Sequence, residues 1–279
     1  MGKLNGMTVL VTGAGRKRGL GRAIALRAAA EGAKVVVSAF PRAPEALPQH
    51  ERAEGWLGSA SVAAEIFAAG GQAIAFDCDV TRRDQVEALF AAGEAAFGLV
   101  DGVVNNAGVA SEAGAASIAE MDDANWFHTV EVNLNGPYLV SKVAVRALLA
   151  RGAPGAIVNI SSMAGRVGLA NYGAYCATKF GLIGLTQQLA VEVAKAGIRV
   201  NCVCPGSTDT DMMDGTFKRT AERVGAPFSA IKNGVRGAIP LGRQGQPDEQ
   251  AAAVVFLLGS DASFITGQTL NVDGGSRMD

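Results

Sequence analysis

The chain has 279 residues, of which 49% are hydrophobic and only 6% aromatic, with 36 glycines and a formal net charge of −1. This length suits one large α/β domain, and the near-balanced charge excludes the basic footprint of a nucleic-acid binder. No apolar run reaches the roughly 18 residues of a membrane span, and no secretory leader precedes the first strand-like segment, so a soluble cytoplasmic protein with no membrane partner is expected.

Residues 7–12 form a short β-branched run that ends in Gly13-Ala14-Gly15-Arg16-Lys17-Arg18-Gly19-Leu20-Gly21. A helical pattern over 22–31, Gly32 and a second strand over 34–39 complete a strand, glycine turn, helix and strand, the unit that places a pyrophosphate on a helix N-terminus. Glycines let the backbone approach the phosphates and let the helix lie close on the strand. A dinucleotide is therefore the expected ligand. Ala39, 18 residues after Gly21, ends the second strand where an NAD-binding chain offers Asp or Glu to the ribose hydroxyls. Arg16, Lys17 and Arg18 in the turn and Arg42 beyond the strand offer cations to a 2′-phosphate instead, so NADP(H) is expected over NAD(H).

Residues 40–59 carry Pro41, Pro44 and Pro48 ahead of Gly55-Trp56-Leu57-Gly58. This exceeds the roughly 2–6 residues that usually link such units, and it reads as an inserted flap or mobile segment beside the adenosine end of the cofactor. Trp56 would anchor it on the body of the protein or at a subunit contact. Onward, the patterns predict a helix over 61–69, a strand over 72–76, and a helix opened by Thr81 as N-cap. A strand over 102–104 runs into Asn105-Asn106-Ala107-Gly108. Helical segments include 125–151, and a strand over 155–160 has Ser161-Ser162 at its carboxyl end. A helix running to 194, a strand over 198–203, a helix over 248–258 and a strand over 268–272 follow. Such alternation predicts a single-domain, Rossmann-type doubly wound parallel sheet of about seven strands over residues 1–279. Cys202 and Cys204 share a strand and are read as facing opposite sides. With no neighbours at ligand spacing around His50 and His128, reduced thiols and no structural metal are expected.

Tyr175 and Lys179 stand four residues apart on a predicted helix and so share one face. An ammonium about 4 Å from the phenol, at an effective dielectric of about 20, would favour the phenolate by roughly 4 kcal/mol. That would draw Tyr175 from its free pKa near ~10 towards neutrality, where acid-base catalysis is efficient.

In order, and over residues 4–275, Thr12-Gly13 through Gly19-Leu20-Gly21, Asn105-Asn106-Ala107-Gly108, Asn133, Ser162, Tyr175 to Lys179, Pro205-Gly206 and Asp273-Gly274-Gly275 resemble a classical short-chain dehydrogenase/reductase. The resemblance implies that Ser162 bonds the substrate oxygen, Tyr175 passes it a proton, Lys179 holds the nicotinamide ribose and lowers the Tyr175 pKa, and Asn133 orders a water beside Lys179. It implies cofactor contacts from Gly13, Gly15, Arg16, Arg18, Gly19, Leu20 and Gly21 in the turn and from Ala39 after it. Asp79 and Val80 would receive the adenine, Asn105, Ala107 and Gly108 the ribose side, and Pro205, Gly206, Thr208 and Thr210 the nicotinamide end. It further implies a small carbonyl or alcohol substrate, a lid over 209–237, and a homotetramer or homodimer built on the helices flanking the active-site strand.

Two features depart from that pattern: five residues between Gly13 and Gly19 where three are usual, and the insertion at 40–59. Enoyl reductases of the same superfamily share a lengthened turn and pair a Tyr with a Lys seven positions on, as Tyr172 and Lys179 stand here. Enoyl-thioester reduction is the alternative chemistry, and a cofactor-sensing regulatory protein the alternative outside catalysis.

Overall fold

The computed structural model describes residues 2–110 and 116–278. Its strands are short and apolar: β1 (Thr8–Val11), β2 (Lys34–Ala39), β3 (Gln72–Asp77), β4 (Gly102–Asn105), β5 (Gly155–Ile160), β6 (Ile198–Pro205) and β7 (Thr269–Val272). They form one parallel sheet in the order β3-β2-β1-β4-β5-β6-β7, as the alternation predicts. Central strands of a parallel sheet are covered on both faces and read as continuous apolar runs, which is why Thr8–Val11 and Gly102–Asn105 are buried at every position.

Helices α1 (Leu20–Ala30), α3 (Ser59–Ala68) and α10 (Pro247–Leu258) cover one face. Their side chains Ile24, Ile66, Val254 and Leu258 share a core with Val9, Val11, Val35 and Val37. Helices α4 (Arg83–Phe97), α6 (Gly136–Arg151) and α7 (Gly173–Val193) cover the other, where Leu89, Val140, Leu148 and Leu189 meet Leu10, Val36, Val103 and Ile157. The alternation of Val9 and Val11 against Leu10 is the period-two pleat dividing one strand between two cores. The strand order reverses direction between β1 and β4. Open α/β sheets hold ligands at the carboxyl ends beside such a switch.

The insertion is more ordered than expected. It contains the short helix α2 (Gln49–Ala53) and folds back on the glycine turn, where buried Trp56 donates its indole N–H to the Gly15 carbonyl at 2.7 Å.

 The helix α2, Gln49–Ala53, carries Glu51 inward against that turn. The other boundaries move slightly. The helix predicted from 61 starts at Ser59, and Arg82 rather than Thr81 stands at the α4 N-cap. Thr81 instead gives its N–H and hydroxyl to Asp79, the local turn that Asp side chains favour. The predicted 125–151 helix divides into α5 (Asp123–Val130), a π-helical turn (Glu131–Asn135) and α6.

Cys202 and Cys204 do not face opposite sides. Residues two apart on a strand share a face, and the Cys202 thiol bonds the Cys204 sulfur, raising the pKa of Cys202 and lowering that of Cys204. All four cysteines are free.

A chain of buried polar groups ties the two helices behind the cleft to the sheet. Asn105 on β4 donates to Ser141 of α6 at 2.9 Å and to its register partner Asn159 on β5 at 2.8 Å, and Asn159 donates to Thr186 of α7 at 2.8 Å. All four side chains are buried, so each bond lost leaves a polar group without water to replace it. Asn159→Ala should therefore lower unfolding stability by about 1–3 kcal/mol, read as a reduced urea midpoint at unchanged m-value.

Candidate active site

The site begins where β1 turns. Gly13 has φ +67°, and a Cβ there would lie 2.6 Å from the Ala107 Cα; a Cβ on Gly21 would lie 2.5 Å from the Asn106 amide nitrogen. Thr12 makes this close approach specific. Its hydroxyl oxygen accepts the Asn106 and Ala107 N–H groups at 3.1 and 3.0 Å, while the Asn106 amide donates to the Thr12 and Gly13 carbonyls at 2.9 and 3.0 Å. The turn after β1 and the chain leaving β4 thus form one backbone cradle. Helix α1 opens from it at Gly19 with no side-chain cap, leaving its first N–H groups for an anion. These features fit a dinucleotide pyrophosphate.

On the β5 side, Lys179 is buried and donates from Nζ to the Ile160 carbonyl at 2.9 Å. Asn133 sits in the π-helical turn, where one extra residue redirects the side chain inward. Its amide is committed to the Val109 backbone, accepting from N–H at 2.8 Å and donating to the carbonyl at 2.9 Å. Asn133 and Lys179 meet at Gly108: a Cβ there would lie 3.2 Å from Asn133 Oδ1 and 3.8 Å from Lys179 Nζ. The Tyr175 ring centre lies 5.5 Å from Lys179 Nζ, and Ser162, extended at the end of β5, hydrogen-bonds the Tyr175 hydroxyl. All four residues of the expected catalytic set therefore converge.

Their electrostatics differ from expectation in one respect. Burial raises the Tyr175 pKa, with the Ser162 bond opposing it, and burial lowers Lys179 to about 8. Removing water penalises phenolate and ammonium alike, and here that loss outweighs the attraction between them, so the expected depression of Tyr175 by Lys179 does not dominate.

The remaining expected cofactor residues divide. Gly15, Gly19, Leu20 and Ala39 lie on or against the cradle, with a Cβ on Gly15 falling 2.7 Å from the Ala39 Cβ. Pro205 ends β6, and Gly206 passes so close to Asp273 that a Cβ would lie 2.6 Å from its Cα. Thr208 is buried and donates to the Gly206 carbonyl, and Thr210 caps the helix α8 (Asp211–Val224) by accepting the Met213 N–H at 3.3 Å. Val80 is buried against Gly136, and Asp79 is occupied with Thr81. The Asn105 side chain points into the polar chain between β4 and the helices, which leaves its backbone to face the ribose side.

The cations of the basic turn are engaged by protein carboxylates. Arg16 pairs with Glu51 and Asp211 at 3.0 Å each, Lys17 with Glu54, and Arg18 with Asp209, Asp211 and Asp214 at 2.9–3.0 Å. Carboxylates from the insertion and from residues 209–214 at the start of α8, which no local pattern brings near the turn, already answer these cations. Arg42 after β2 is exposed and has no ion pair among the described residues. His50, Glu51 and Asp211 also cluster at metal-ligand distances, within 4.8 Å, yet the Arg16 guanidinium bridges Glu51 and Asp211 and supplies the countercharge there.

A family model described as "Enoyl-(Acyl carrier protein) reductase" matches residues 13–277. The chain is 38% identical over 279 residues to a 3-oxoacyl-[acyl-carrier-protein] reductase of Synechocystis sp., covering all of both chains. It is 39% identical over 269 residues to an L-rhamnose 1-dehydrogenase (NAD(P)(+)) of Azotobacter vinelandii, covering 96% of this chain and 95% of that one. Among solved structures, an actinorhodin polyketide ketoreductase variant with NADPH superposes with a TM-score of 0.86 at 36% identity, covering 99% of each chain. The cradle after β1, the Asn133, Ser162, Tyr175 and Lys179 convergence and these full-length likenesses agree: the chain belongs to the short-chain dehydrogenase/reductase family of oxidoreductases.

Proposed function

We propose that the protein interconverts a ketone and a secondary alcohol with NADP(H), and the observation that carries this reading is the Ser162, Tyr175 and Lys179 convergence at the carboxyl end of β5. The nicotinamide, when bound, supplies or accepts the hydride. Ser162 and Tyr175 bond the substrate oxygen. In reduction Tyr175 gives that oxygen a proton, and in oxidation it takes the alcohol proton. Lys179 and Asn133 face the ribose side at Gly108, where the Asn133 amide holds the loop after β4 through both its oxygen and its nitrogen.

Support for a carbonyl substrate comes from the relatives, which by name include a 3-oxoacyl-[acyl-carrier-protein] reductase, a putative ketoacyl reductase and a (3R)-3-hydroxyacyl-CoA dehydrogenase. In the enoyl alternative Tyr172 would act, but it stands at the α7 N-cap and the Tyr175 ring is the one beside Lys179. The lid carries Phe217 edge-on to Phe228 at 6.2 Å, and α9 (Phe228–Ala238) has an apolar stripe of Phe228, Ile231 and Val235 with no residue fully buried. That favours a moderately apolar ketone or an acyl-thioester ketone. For NADP(H), support comes from the absence of a carboxylate at Ala39 and from the unpaired Arg42. The exposed aromatic rings of Phe180 on α7 and Phe264 before β7 favour a homodimer or homotetramer, and the composition favours a cytoplasmic location.

Tyr175→Phe should cut turnover by roughly 10²–10⁴-fold while cofactor affinity, read by titration calorimetry, is retained; unchanged turnover excludes the mechanism. The pH dependence has a definite sign. In the oxidative direction Tyr175 must be deprotonated, so kcat/KM should rise with pH on the alkaline side where burial holds the Tyr175 pKa, and Ser162→Ala should move that rise to still higher pH by removing the hydrogen bond that opposes it. Arg42→Ala should weaken NADPH about tenfold or more, the loss of one charge-assisted bond, and leave NADH binding unchanged; equal effects on both would reject the 2′-phosphate role.

A further inference from the structure

Glu51 is the one acid of the insertion that is completely buried, and neither catalysis nor the proposed cofactor contacts use it. Its Oε1 accepts the Lys17 backbone N–H at 2.8 Å and the Arg16 Nε–H at 3.0 Å. The far side of the same Arg16 guanidinium donates to Asp211 Oδ2 at 3.0 Å, at the first residue of lid helix α8. Arg18 strengthens that junction: its guanidinium reaches Asp209, Asp211 and Asp214, and its carbonyl accepts the Asp211 N–H at 3.2 Å. Lys232 on α9 returns to Asp214 at 3.3 Å and to Asp209 at 3.6 Å. Three segments far apart in sequence, α2, the glycine turn and the start of α8, thereby meet around Arg16 and Asp211, with Arg18 and, at 3.3 Å, His50 of α2 also reaching Asp211.

A fully buried carboxylate is costly unless it is paired and hydrogen-bonded. Glu51 is stable only while Arg16 faces it and the Lys17 N–H points inward, so the carboxylate selects one conformation of the lengthened turn. Arg16, once oriented at Nε by Glu51, presents its Nη2 to Asp211. We propose that Glu51 is a positioning residue: it sets the shape of the pyrophosphate-binding turn and, through Arg16 and Asp211, seats the substrate lid on that turn. The insertion then serves the cofactor and the lid together, and this rests on reading the turn as the pyrophosphate site.

Glu51→Gln keeps the shape and removes the charge. The proposal expects it to weaken NADPH binding by about tenfold, the loss of one charge-assisted bond, as measured calorimetrically. It also expects a raised substrate KM, a kcat changed by less than about twofold once both ligands saturate, and faster cleavage of residues 211–238 in limited proteolysis. Asp211→Asn, on the lid side, should raise substrate KM and cleavage similarly, and the double variant should fall short of the product of the singles, because both act through Arg16. Glu54→Gln, the exposed partner of Lys17 in the same segment, should change none of these. Full cofactor affinity and unchanged lid cleavage in folded Glu51→Gln would overturn the proposal, as would strictly multiplicative effects in the double variant. Should Glu51→Gln not fold, unchanged lid cleavage in Asp211→Asn overturns it instead. Failure of the unmodified protein to bind either NADPH or NADH would reject the cofactor reading separately, while lid cleavage would still test the relay.

Discussion

The cleft depends on how closely two backbones can approach. The turn after β1 lies against the chain leaving β4 because Gly13 and Gly21 have no side chains to hold them apart, and because Thr12 and Asn106 convert the contact into four hydrogen bonds. Proximity without those bonds would leave buried N–H groups unpaired, and the bonds could not form across a Cβ. This junction at the strand-order reversal opens α1 towards the cleft and places Gly108 beside Lys179 and Asn133. A phosphate cradle and an acid-base centre so become parts of one surface.

The acid-base centre rests on a second constraint, the burial of charge. Lys179 sits out of water with a carbonyl as its bonded acceptor, which brings its pKa down to about 8, and the same dryness raises that of Tyr175. A buried lysine and a buried tyrosine whose charged forms are both disfavoured make proton transfer sensitive to what each touches. The Ser162 bond is the one protein contact that opposes the rise at Tyr175. Ser162 therefore bears on the proton held at Tyr175, beside its proposed bond to the substrate oxygen. Behind these residues, the buried chain from Ser141 through Asn105 and Asn159 to Thr186 ties α6 and α7 to the sheet, so the catalytic helix cannot slide against β5 without breaking hydrogen bonds that water cannot replace.

The basic turn shows how a composition can mislead about ligands. Three consecutive cations beside a phosphate cradle read as phosphate ligands because cations in sequence carry no record of their partners. In the folded chain five carboxylates, Glu51 and Glu54 from the insertion and Asp209, Asp211 and Asp214 around the start of α8, meet them. The charges that seemed reserved for a cofactor hold protein segments together, and the exposed Arg42 is left to face solvent at the end of β2.

Much was legible in the sequence by itself. Local patterns repeat along the chain, so the alternating apolar runs and helical periods specified seven parallel strands and their order of appearance. Glycines at a strand end announced the cradle, because only glycine permits that approach. The four-residue spacing put Tyr175 and Lys179 on one helical face, and the strand end located Ser162. Only the tertiary structure decided what distance in sequence conceals. It turned Asn105 inward, buried Glu51 against a turn 35 residues away, set Arg16 between insertion and lid, and let burial outweigh attraction at Tyr175. Each of these depends on desolvation and on long-range pairing, and both are properties of the folded surroundings rather than of any local run of residues.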